Sequence, residues 1–97
     1  MTAPSPTIVL YSQDGCEPCA ETRELLISLL AERDRDGREP PDIEIRDVAA
    51  DPAWERFRAE VPVVEIGGRV LPLATSAKRL RRFLAEALDA DAVVPAR

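Results

Sequence analysis

A run of β-branched and apolar residues, Thr7-Ile8-Val9-Leu10-Tyr11-Ser12, leads through a short polar turn at Gln13-Asp14-Gly15 into Cys16-Glu17-Pro18-Cys19, from which a leucine-rich helical pattern departs. This order of strand, turn, thiol pair and helix constrains the chain more than any other feature. A helix N-terminus presents N–H groups without intrahelical partners and the positive end of the helix dipole, and both stabilise a thiolate. Two cysteines separated by two residues at such a junction therefore point to thiol-disulfide chemistry. The chain has only these two cysteines, so no framework of structural disulfides is available to hold it together. With 97 residues, 45% of them hydrophobic, it can bury a core of its own, and we expect one domain over 1–97 with an ordered core over about 7–88.

The first strand is expected over 7–12, with the near-continuous apolar character of a central strand covered on both faces. The following helix should start at Cys16 or Glu17, where Pro18 costs no hydrogen bond. Leu25, Leu26, Leu29 and Leu30 give it a wide apolar stripe, and it should end between Arg33 and Gly37. Residues 34–42 read as a surface loop. Ile43 to Val48 alternate apolar and polar residues, the pattern of a strand with one buried face, parallel to the first through a right-handed crossover. Asp51-Pro52 opens a second helix with Trp54 and Phe57 turned inward, and Val61-Pro62 closes it. A hairpin turns at Gly67-Gly68. A last helix, capped by Thr75 or Ser76, carries Leu80, Phe83, Leu84, Ala87 and Leu88 on one face. Residues 1–6 are expected to form an extended lead-in, and order should decay from Asp89 onward.

These elements make an α/β domain of order β-α-β-α-β-β-α, with a mixed four-stranded sheet and helices on both faces. Three landmarks in this order, Cys16-Glu17-Pro18-Cys19, Asp51-Pro52-x-Trp54 and Val61-Pro62, make residues 7–88 resemble the thioredoxin fold, and specifically the small bacterial glutaredoxin-like proteins. The resemblance implies a thiol-disulfide oxidoreductase working without a cofactor. In it Cys16, the more exposed sulfur, attacks a disulfide, and Cys19 resolves the mixed disulfide. It further implies a cis Val61-Pro62 peptide beside the thiols, with the Val61 backbone offered to substrate as an extra strand. Two departures bear on substrate. Glutathione-using relatives carry a basic residue three positions before the first cysteine, where this chain has Gln13. They also carry a Gly-Gly pair followed by acidic or hydroxyl positions, where this chain has Pro72-Leu73 and then Thr75 and Ser76. Gln13, Val61, Pro62, Thr75 and Ser76 are thus the candidate substrate-binding residues, with Thr75 and Ser76 able either to donate to a carboxylate or to cap the helix.

Asp14 and Glu17 flank Cys16, the turn has no cation and the chain has no histidine, so only modest activation of Cys16 is expected. A net charge of −5 disfavours nucleic acid and anionic lipid as partners. The expected partner is a disulfide-containing protein or a low-molecular-weight thiol. With no basic, apolar leader and no run long enough to span a membrane, the expected location is cytoplasmic. Three other readings of the cysteines stand beside the enzymatic one. They could be an unreactive structural pair, vestigial thiols of a noncatalytic interaction module, or ligands of a metal or iron–sulfur cluster shared by two chains. Two cysteines alone provide half the ligands that zinc usually takes, and we expect no metal site within the single chain.

Overall fold

The computed structural model describes residues 7–89, so the expectations for 1–6 and for the tail beyond Asp89 lie outside the described residues. The elements are β1 (Ile8–Ser12), α1 (Glu17–Arg35), β2 (Ile43–Asp47), two 3₁₀ segments (Val48–Ala50 and Pro52–Phe57), β3 (Val63–Ile66), β4 (Arg69–Leu71) and α2 (Ala77–Leu88). They build one mixed sheet in the order β2-β1-β3-β4. β1 pairs in parallel with β2 and antiparallel with β3, and β3 continues into β4 as an antiparallel hairpin. Both residues of its turn, Gly67 and Gly68, have positive φ, 53° and 89°, a combination that glycine adopts without steric cost.

β1 is a central strand, and its residues Ile8 to Tyr11 are all buried. Ile8 and Leu10 point to one face and meet Leu26, Leu29 and Leu30 of α1 and Leu80, Phe83 and Leu84 of α2. Val9 and Tyr11 point to the other, where they pack with Val48, Phe57 and Val63. Helical segments cover both faces as expected, but the second expected α-helix is 3₁₀: α1 and α2 share one face, and the 3₁₀ segments cover the other. The segment after Asp51 is a six-residue 3₁₀ helix, with the Asp51 side chain accepting from the Ala53 N–H at 2.9 Å. In a 3₁₀ helix residues three apart eclipse. Trp54 and Phe57 therefore stand on one ridge and both reach Tyr11, with ring centroids 5.8 and 4.4 Å away. Arg46 lies over the Tyr11 and Trp54 rings, and its Nη1 donates to the Tyr11 hydroxyl at 3.2 Å while that hydroxyl donates to Glu65 at 2.7 Å.

β2 is a second correction. Its alternation predicts a well-buried face, yet Ile45 is 45% exposed and Ile43 only partly buried. The cause is topological: β2 is an edge strand, and the helix layer does not extend over all of it.

At the far end of the helix layer Asp89 is anchored. It forms ion pairs with Arg33 and with Arg38, the latter at 3.2 Å. The hydrogen bond from Arg33 holds the Asp89 carboxyl below its ordinary value of 3.8, against an opposing contribution from desolvation and with help from the charges of Arg33 and Arg38. A carboxylate with a depressed native pKa adds stability that is present above the ordinary value and is lost as pH falls through the depressed one. Urea unfolding at descending pH should therefore show Asp89→Asn about 1 kcal/mol less stable than the parent near neutrality. The gap should close below the ordinary value, and a gap that stays constant with pH would refute the pairing.

Candidate functional site

The end of β1 delivers the chain to a tight turn in which the Cys16 N–H donates to the Gln13 carbonyl at 3.1 Å. Cys16 then adopts an extended conformation, φ −90° and ψ 102°, and is the N-cap of α1, with Glu17 and Pro18 in its first turn. The Cys16 Sγ takes the place of the usual capping oxygen and accepts the Cys19 N–H at 3.1 Å. Cys16 and Cys19 are joined in a disulfide, their Cα atoms 5.2 Å apart. Burial divides the pair: Cys19 lies 4% exposed beneath the helix, whereas Cys16 is only partly covered. Among the described residues, no three side chains of the histidine, cysteine, aspartate or glutamate type are grouped to hold a metal ion.

Both cysteines line a cleft of about 440 Å³ whose floor is Leu10 and whose sides include Gln13, Ile45 and Arg23. Gln13 is thus brought to the sulfurs as a neighbour. Arg23 was not singled out by sequence reasoning, although the signal was present: four residues after Cys19 on a helix, it returns to the same face. Among the described residues it is the one cation lining the cleft, beside the acidic Asp14 and Glu17.

Val61, Pro62, Thr75 and Ser76 are not among the residues that line this cleft. The Val61-Pro62 peptide is cis, with Pro62 fully buried and Val61 packed against the aromatic cluster on the 3₁₀ side of the sheet. Ser76 is the N-cap of α2, its Oγ accepting the Arg79 N–H at 3.2 Å. Thr75 is exposed, and its N–H donates to the Leu73 carbonyl at 2.8 Å. Leu73, in the position where the resembling proteins carry glycine, keeps a glycine-like backbone with φ 50°.

A buried relay ties the proline segment to the thiol helix. The Pro62 carbonyl accepts the Ala74 N–H at 2.8 Å, and the Ala74 carbonyl accepts the Thr22 hydroxyl at 2.7 Å. Thr22 and Ala74 are both 0% exposed, and Thr22 sits one turn after Cys19. Nothing in the pattern of the helix distinguished Thr22, because its partner is a backbone atom. Thr22→Val keeps the shape and strands the Ala74 carbonyl, so chemical denaturation should show a loss of about 1–3 kcal/mol. A loss below about 0.5 kcal/mol, the range of an ordinary surface change, would show that the relay carries no weight.

The family model described as Glutaredoxin-like domain (DUF836) matches residues 7–91, nearly the whole chain. The chain belongs to the glutaredoxin-like family. Its parallel β1-β2 pair, antiparallel β1-β3-β4 and thiol pair at the head of α1 give the glutaredoxin-like domain a thioredoxin-type architecture. Among curated proteins, none matches the chain. No helix of the described residues is long and apolar enough to cross a membrane.

Proposed function

We propose that this glutaredoxin-like protein is a thiol-disulfide oxidoreductase that reduces disulfides by a dithiol mechanism. The observation that carries the reading is the unequal burial of two bonded sulfurs at one helix N-terminus. In the reduced protein the Cys16 thiolate, held by the N-terminal N–H groups of α1, attacks one sulfur of a substrate disulfide. The substrate bond breaks, its second sulfur leaves as a thiolate, and a Cys16 mixed disulfide forms. The Cys19 thiolate then attacks the Cys16 sulfur, the mixed disulfide breaks, the substrate sulfur held on Cys16 leaves as a thiolate, and the internal disulfide is restored. Two electrons pass from the dithiol to the substrate, and an external thiol reductant returns them. Only Cys16 is open to a bulky partner, and Cys19 needs to reach only Cys16, which suits each to its part.

The test is reduction of insulin disulfides, with dithiothreitol as donor, by the parent protein, Cys16→Ser and Cys19→Ser. A rate for the parent well above that of dithiothreitol alone, lost in Cys16→Ser, supports the proposal. Equal rates in all three would overturn it.

A further inference from the structure

The cleft at the sulfurs does not end at the sulfurs. On β2, Ile45 lines it, and Ile43, two residues away on the same face, lines a second cleft of about 330 Å³ together with Ile27 and Ala31 of α1. On α1, Arg23 of the first cleft and Ile27 of the second are four residues apart, hence neighbours on the helix surface. The two clefts therefore abut and form one strip between α1 and the edge of the sheet. Ile27 and Ile45, 46% and 45% exposed, are two of the four large hydrophobic side chains left exposed among the described residues, and both lie on it. Scattered exposed apolar residues need no explanation; two of them aligned on a groove that begins at a reactive sulfur do.

Length and backbone choose the occupant. From Ala20 to Ala31 the helix side of the strip runs about 16 Å at roughly 1.5 Å per residue. A three-residue thiol, fully extended, reaches only about 10 Å, so a low-molecular-weight thiol would leave the far end bare. β2 is the edge strand on this side of the sheet, and beyond it no strand is paired among the described residues, so its outer N–H and C=O groups are available to an added chain. We infer that the strip is the docking groove for an extended polypeptide segment flanking the substrate cysteine, with apolar side chains at alternate positions set against Ile45 and Ile27. The inference rests on the redox reading of Cys16 and makes a protein disulfide, not a small one, the preferred substrate.

The probes are synthetic peptides of about six residues, long enough to run the strip, each with one terminal cysteine joined by a disulfide to thionitrobenzoate. In one set leucine and valine alternate with polar residues, and in the other serine replaces them. Each set is made with the cysteine at either end, so that both chain directions are sampled. With dithiothreitol as donor, the apolar probe in one direction should show a kcat/KM about tenfold or more above its serine counterpart, the effect of covering a single aliphatic side chain. The double variant Ile27→Glu, Ile45→Glu should lose that preference, its rates on the apolar and the serine probe becoming equal. Should the double variant misfold, Ile27→Glu alone should show a smaller loss of the same kind.

Equal rates on apolar and serine probes, or a preference that survives both substitutions, would overturn the docking groove and leave the redox reading standing. A parent protein that reduces neither probe would overturn both. A dimer in sedimentation velocity that the same substitutions dissociate would assign the strip to a second copy of this chain instead, and would also overturn the inference.

Discussion

Cys16→Ser is expected to reduce disulfides no faster than the added reductant does alone, because a serine hydroxyl can neither attack as a thiolate nor hold a mixed disulfide. Cys19→Ser should fail differently. Cys16 remains open and capped by the first turn of α1, so it should still attack. The mixed disulfide should then persist until the external reductant cleaves it. Mass spectrometry of Cys19→Ser with a small disulfide should show one adduct per chain, on Cys16, and Cys16→Ser should show none under the same brief exposure. Adduct on Cys19 at a rate comparable to Cys16 would contradict the order of attack, since Cys19 is 4% exposed.

The largest effect on stability is expected from Leu26→Ala. Leu26 is 0% exposed and sits where α1 meets β1, β3 and α2, among Ile8, Leu10, Val64 and Leu80. Emptying such a site removes the transfer free energy of the lost carbons and leaves a cavity, a loss of about 2–5 kcal/mol. For a domain this small, whose total stability is of the order of 5–15 kcal/mol, the melting temperature should fall by on the order of 10 °C or more. Ile27→Ala, one residue along and facing solvent, should shift stability by no more than about 0.5 kcal/mol. Similar losses at both positions would mean that α1 does not turn Leu26 inward and Ile27 outward.

That contrast also separates what was legible in the sequence. The leucine period of α1 indicated which residues face inward, and Leu26, Leu29 and Leu30 do, because one helix face has only one sheet to meet. The apolar run before the cysteines marked a central strand, and Gly67-Gly68 marked a hairpin. Alternation in β2 misled, since period two reports which side chains share a face and not whether anything covers that face. The Asp51-Pro52 signal located a helical start correctly, but the helix it starts is 3₁₀. Gln13 lines the thiol cleft and Ser76 acts as a cap, the first a matter of how the turn folds back and the second of the local backbone.

By itself the sequence determined the thiol pair at a strand-to-helix junction, the element order and the inward stripes of both helices. These are consequences of backbone sterics, capping and periodicity within a dozen residues. Only the tertiary structure decided that both helices share one face, that β2 is left as a half-covered edge, and that Arg23 and Ile45 join Cys16 in one cleft. It also decided the pairings of Thr22 with Ala74 and Arg33 with Asp89, 52 and 56 residues apart. Such contacts depend on how whole elements settle against one another, and no local pattern records which distant partner a side chain will meet.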